Sequence, residues 1–151
     1  MIGTIRMNGS FTSIQPVFHE RTMKEVTCAV ILEGERILAT RRSTSMPHPL
    51  KWEFPGGKVR TGESPESCIR REIMEELGVT LRLVQPLPPV IHHYGTGPVK
   101  LIPFMCTIRK GTIRLREHMD FRWLLPGELD EPDWLDADVE VVRYLMERSG
   151  A

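Results

Sequence analysis

Glu72, Glu75 and Glu76 stand three and four residues apart, so on a helix they share one face. Glu63 precedes them in a glycine-containing loop. Carboxylates held this close repel one another and would cost stability unless a cation holds them together. Oxygen donors of this kind suit a hard divalent ion, Mg2+ or Mn2+. The stretch from Gly56 to Val79 therefore has the makings of a metal-assisted site, opening as a glycine-rich loop and continuing as a helix.

The helix carries its own boundary signals. Ser64 is an N-cap, Pro65 suits the first helical position, and Glu66 puts negative charge in the first turn. Ile69, Ile73 and Leu77 recur at four-residue spacing and form an apolar stripe for packing on a sheet. Gly78 is the expected stop. The carboxylate face is expected beside that stripe, at the edge that meets solvent.

Strands must flank it. The β-branched, apolar run Glu25–Leu32 reads as a buried strand, and Glu33-Gly34-Glu35 as a turn into a second strand, Arg36–Arg41. Ser43–Leu50 holds two prolines and reads as a loop that could close over a site, bringing Met46 and His48 with it. Further strands are expected at Val79–Val84, Val90–Tyr94, Val99–Ile108, Thr112–Leu115 and Phe121–Leu124. A turn or short helix is expected at Pro126–Leu129. Asp136–Arg148, with Val139, Val142 and Leu145, reads as an amphipathic closing helix. Strands, helix, strands, helix make a mixed α/β arrangement with helices packed on a sheet.

Composition bounds the rest. A chain of 151 residues suits one domain, and a formal net charge of +0 gives no global pull toward nucleic acid or anionic membrane. Three dispersed cysteines fit a reducing compartment better than a disulfide framework. The start of the chain has no signal-peptide core, and no apolar run reaches spanning length, so the expectation is cytoplasmic. Residues 1–22 are polar and weakly patterned, with at most a short strand at Ser13–His19. They read as an extension ahead of a domain spanning residues 23–151.

As a pattern the central stretch is Gly57, five residues, Glu63, seven residues, Arg71-Glu72-Ile73, Met74, Glu75-Glu76, Leu77, Gly78-Val79. This resembles the Nudix box at every fixed position. Trp52-Glu53-Phe54-Pro55-Gly56-Gly57-Lys58, Glu117 six residues before Trp123, and Asp138 at the start of the last helix resemble the MutT-like and CTP pyrophosphohydrolase-like subgroup. The resemblance implies a Nudix α/β/α sandwich, with a mixed sheet between helices. It also implies Mg2+- or Mn2+-dependent hydrolysis of a nucleoside triphosphate to monophosphate and pyrophosphate by a monomer or homodimer.

The resemblance also distributes roles. Glu72, Glu75 and Glu76 would hold metal together with the Gly56 carbonyl, and Arg71 would orient the glutamates. Glu63 would support the loop or a further metal. The general base would be a box glutamate, Glu72 or Glu75, with Glu117 as metal ligand or base. Arg42 and Lys58 would meet phosphate, and Glu53 would help place substrate. Phe104 or Tyr94 would stack on a base, and one of His92 and His93 would face the substrate. Asp138 would read the base. If ionised it accepts hydrogen bonds only, which favours an exocyclic amino group such as that of cytosine; the MutT enzyme itself has Asn there. Alternatives are hydrolysis of dinucleoside polyphosphates or ADP-ribose, or a non-catalytic nucleotide-sensing module.

Overall fold

The computed structural model describes residues 23–150. The strand expected at Ser13–His19 lies outside the described residues. The chain runs β1 (Lys24–Glu33), β2 (Arg36–Arg41), β3 (Trp52–Glu53), β4 (Gly56–Lys58), α1 (Pro65–Leu77), β5 (Thr80–Pro86), β6 (Val90–Tyr94), β7 (Gly97–Lys110), β8 (Asp120–Leu124), a 3-10 turn at Pro126–Glu128, and α2 (Asp136–Ser149).

All eight strands belong to one sheet, whose main path runs β3-β2-β1-β7-β5. β1 and β7 pair in parallel from Lys24↔Val99 to Leu32↔Thr107. The other pairs are antiparallel. β1 is shared on its other edge. Only Leu32 and Glu33 pair with β2, whereas Val26, Thr27 and Cys28 pair with β4. Between these two partners the Ala29 amide donates to the Pro55 carbonyl at 2.8 Å.

β1 is apolar on both faces because both are covered. Its alternation sends Ala29 and Ile31 toward α1, where they meet Ile69, Ile73, Leu77 and Phe104. Cys28 and Val30 point the other way, to a core with Phe54, Trp134, Val141 and Leu145 beside α2. The expected stripe of α1 is fully buried. In α2 the buried positions are Ala137 and the i, i+3, i+4, i+7 set Asp138, Val141, Val142 and Leu145. Val139, expected in that stripe, falls at its outer edge and is exposed.

Caps set the length of α1. The Ser64 hydroxyl accepts from the Ser67 amide at 3.1 Å, and Gly78 turns left-handed at φ 70°, its amide returning to the Met74 carbonyl. The strand expected at Thr112–Leu115 does not form. The Arg114 and Arg116 amides donate instead to the Leu77 and Glu76 carbonyls, at 2.9 and 3.1 Å, so this segment satisfies the open end of α1 rather than a ladder. No helix among the described residues is long and apolar enough to cross a membrane.

Removing side-chain volume at the α1–sheet contact leaves a cavity that rigid neighbours cannot fill. Ile73→Ala is expected to cost about 3 kcal/mol of unfolding free energy. Urea denaturation would show this as a lower midpoint with an unchanged slope.

Candidate active site

The site begins with a close approach. β4 lies between β1 and α1, and a side chain has no room there. A Cβ on Gly56 would stand 2.0 Å from the Thr27 carbonyl oxygen, and one on Gly57 would stand 2.3 Å from the Glu72 carboxyl carbon. The two glycines thus let the Glu72 carboxylate lie directly on the β4 backbone. Thr27 Oγ1 donates to the Gly57 carbonyl at 3.1 Å and fixes that strand from below.

Arg71 organises the acids. It grips Glu63 with two hydrogen bonds, Nε to Oε2 at 2.7 Å and Nη2 to Oε1 at 2.9 Å. Nη1 donates to Glu72 at 2.8 Å and to Glu75 at 3.2 Å, and Nη2 reaches the Lys58 carbonyl at 3.2 Å. The guanidinium holds the Glu63 carboxyl down at about 2. Glu63 therefore supports the loop, with the Arg60 amide as its other partner.

Glu76 lies deeper, against the expectation of a solvent-facing acid. It is 5% exposed, it hydrogen-bonds the Gly56 backbone, and its Oε2 has no partner. Burial first, then the charges of Glu53, Glu72 and Glu117, push its carboxyl up to about 10. Those acids come from β3, α1 and the segment before β8, so distant parts of the chain converge on one point. Among the described residues no three such side chains already enclose a metal position, because Glu72 and Glu75 are turned to Arg71. The donor set nonetheless fits a hard divalent ion: its ligands are carboxyl oxygens, their charges repel one another, and one oxygen is buried without a partner.

From this acidic end a cavity of about 260 Å3 runs toward α2. Arg42, Glu53 and Glu76 line one part of it; Tyr94, Ala137 and Asp138 line the other. Arg42 Nη1 contacts both oxygens of Glu53 at 2.9 and 3.0 Å. Its Nε donates to the Pro47 carbonyl at 2.7 Å, which ties down the 43–50 loop. That loop brings Met46 and His48 to the cavity and holds His48 and Leu50 at positive φ, 51° and 67°.

The strand-like pairing of Trp52 with residues 133–135 starts α2 beside Phe54. There Asp138 Oδ2 accepts from the Phe54 amide at 3.3 Å. Asp138 is 3% exposed; burial, reinforced by Glu53, raises its carboxyl well above the usual carboxylate range. The acceptor-only role expected of an ionised aspartate thus meets an environment that disfavours the charge. Tyr94 accepts from the Ala137 amide at 3.3 Å and rests edge-on against His92.

Of the sequence-predicted residues, the structure brings Arg42, Glu53, Gly56, Glu72, Glu76 and Asp138 to the cavity or its acidic end. Glu117 is exposed but faces Glu76 closely enough to raise its pKa. Glu75 stands half-exposed at the rim on Arg71. Two positions lie elsewhere. Phe104 is buried in the core under α1, on the opposite face of the sheet. Lys58 projects from an exposed position in the surface hollow lined by Arg60 and Glu63. His118, whose sequence signal was no more than its place beside Glu117, turns out to be buried against Glu53.

The sequence model of the NUDIX domain family matches residues 22–145. The chain belongs to the Nudix family. It is 34% identical over 127 residues to a MutT-like protein of Streptomyces ambofaciens, covering 83% of this chain and 77% of that one. It is 27% identical to the CTP pyrophosphohydrolase of Escherichia coli, covering 82% and 92%. Among solved structures, the MutT Nudix hydrolase of methicillin-resistant Staphylococcus aureus superposes with a TM-score of 0.69 at 36% identity, covering 83% and 97%. The match spans 77% or more of each of these relatives, and the chain is a Nudix hydrolase of MutT type.

A carboxyl whose folded pKa lies above its unfolded value binds its proton more tightly in the native state. Without metal, the native state is unburdened by Glu76 below about pH 4.5. It loses stability as pH rises toward about 10 and that proton is retained at increasing cost. In chelator, Glu76→Gln is expected to flatten this slope. Its melting temperature would fall less than the wild type's between about pH 5 and about pH 8, read by thermal melts across that range.

Proposed function

We propose that this Nudix hydrolase cleaves a nucleoside triphosphate, of modified or cytosine type, to the monophosphate and pyrophosphate with Mg2+ or Mn2+. The observation that carries this reading is the polarity of the cavity. One end gathers Glu53, Glu72, Glu76 and Glu117, while the other holds a buried acid and an aromatic ring.

Glu72, Glu75, Glu76, Glu117 and the Gly56 carbonyl would hold the ion, with Arg71 fixing Glu72 and Glu75 through the bonds it already makes. Bound there, a divalent ion neutralises phosphate charge and lowers the pKa of water. Arg42 reaches the phosphate chain by exchanging Glu53 for phosphate oxygens, which its forked donors match. Water attacks phosphorus in line with the departing pyrophosphate, and its proton passes to Glu72 or Glu75. Glu72 lies against the Gly57 backbone, and Glu75 is half-exposed on Arg71.

At the other end, Asp138 presents a neutral carboxyl next to the Phe54 amide. Cytosine offers an amino donor beside a ring-nitrogen acceptor. Guanine oxidised at C8 carries hydrogen on N7 beside the O6 acceptor. Both edges pair a donor with an acceptor, as a carboxylic acid does. Burial of Asp138 thus brings cytosine and 8-oxo-guanine nucleotides within one recognition chemistry, and a cytosine nucleotide is the substrate named for the Escherichia coli relative.

Incubation with Mg2+ and a panel of CTP, dCTP, dGTP and 8-oxo-dGTP is expected to release pyrophosphate and one monophosphate, identified by chromatography. Absence of turnover across canonical, oxidised and methylated nucleotides would reject the reading. Asp138→Asn keeps a donor and an acceptor and should stay within about 10-fold of the wild-type kcat/KM for the best substrate. Asp138→Leu should lose about 100-fold or more. Equal effects from the two changes would remove Asp138 from base recognition.

A further inference from the structure

The segment between Gly111 and Met119 carries Glu117 without the support of a strand. On one side of Glu117, the Arg116 amide is bound to the Glu76 carbonyl at 3.1 Å. On the other, the Met119 amide is bound to the Arg41 carbonyl at 3.0 Å. Between these anchors lies His118, whose side chain is only 1% exposed. Its Nε2 is 2.9 Å from Glu53 Oε1. A carboxylate offers only lone pairs, so the ring nitrogen is the donor. Nδ1 is buried and has no partner.

Filling space would not demand an imidazole here. An apolar side chain could occupy this buried position without stranding a ring nitrogen. The bond to Glu53 is what the imidazole adds, and Glu53 is the acid that Arg42 also grips. If Arg42 leaves for phosphate, His118 becomes the remaining side-chain partner that keeps Glu53 in place. The same bond fixes how far the neighbouring Glu117 stands from Glu72 and Glu76.

We propose that His118 is a positioning residue that ties the Glu117-bearing segment to Glu53 and so completes the acidic end of the cavity. This rests on the reading of that end as a divalent-cation site. It acts on the cation through Glu117 and touches neither substrate nor metal itself.

The test compares wild type with His118→Leu, which fills the space, and His118→Gln, whose amide can still donate to Glu53. Mn2+ binding is read by electron paramagnetic resonance without nucleotide, and kcat, KM and the activating Mg2+ concentration are read with the best nucleotide. His118→Leu is expected to weaken Mn2+ binding and lower kcat by about 10- to 100-fold, with KM changed far less. His118→Gln should recover most of both. Wild-type Mn2+ affinity in His118→Leu would overturn the proposal, as would failure of His118→Gln to recover while remaining folded by circular dichroism.

Should His118→Leu fold poorly, a second comparison decides. In a Glu117→Gln background, His118→Met, which is apolar, flexible and unable to donate to Glu53, should add no loss of Mn2+ affinity beyond Glu117→Gln alone, and additive losses would overturn the proposal. No nucleotide turnover by wild type, together with Mn2+ affinity sensitive to His118, would reject the substrate reading and leave the positioning role standing.

Discussion

Arg71 stands among Glu63, Glu72 and Glu75, acids that would otherwise repel one another. Its donors are divided so that each has a fixed place: two to Glu63, one shared between Glu72 and Glu75, and one to the β4 backbone at Lys58. A lysine could not make this pattern, because it brings a point charge rather than a planar fork. The arrangement joins α1, the loop before it and β4 into one unit. It also turns Glu72 and Glu75 toward a cation the protein itself supplies. Cation binding at the acidic end must then compete with, or share, those oxygens. Glu76, beyond the reach of Arg71, has no such compensation and stays costly to ionise.

The legible part of the molecule was the part set by local chemistry. The α1 boundaries followed from Ser64, Pro65 and Gly78, because caps act within a few residues. The carboxylate set was visible because helical spacing alone puts the side chains on one face. What stayed hidden depended on partners far away in sequence. Nothing in residues 112–115 signals that their amides will serve the end of α1 rather than a ladder. Phe104 looked available to stack on a base, but the parallel register with β1 sends it to the opposite face. The depth of Glu76 and Asp138 could not be read from helix position, since it depends on how tightly β4 and Phe54 pack over them.

Burial also changes what a residue is able to say chemically. Asp138 on an exposed helix start would be an anion favoured by the helix dipole. Beneath Phe54 and close to Glu53 its charged form is disfavoured by burial and by the neighbouring carboxylate. Glu53 contributes to this, to the state of Glu76, and to the placement of Arg42 and His118. One short strand, β3, thereby links the acidic end and the Asp138 end of the cavity electrostatically as well as mechanically.

The walls of the cavity have separate origins. Met46 and His48 come from the loop after β2, Tyr94 from the β6–β7 hairpin, and Ala137 with Asp138 from the start of α2. Gly56, Gly57 and Glu76 close the other end from β4 and α1. The two ends of the cavity are thus built mostly from different segments of the polypeptide. On the proposed reading, a substitution in the 43–50 loop, in β6 or at the start of α2 would alter the base end while leaving the Arg71 network on α1 and β4 in place.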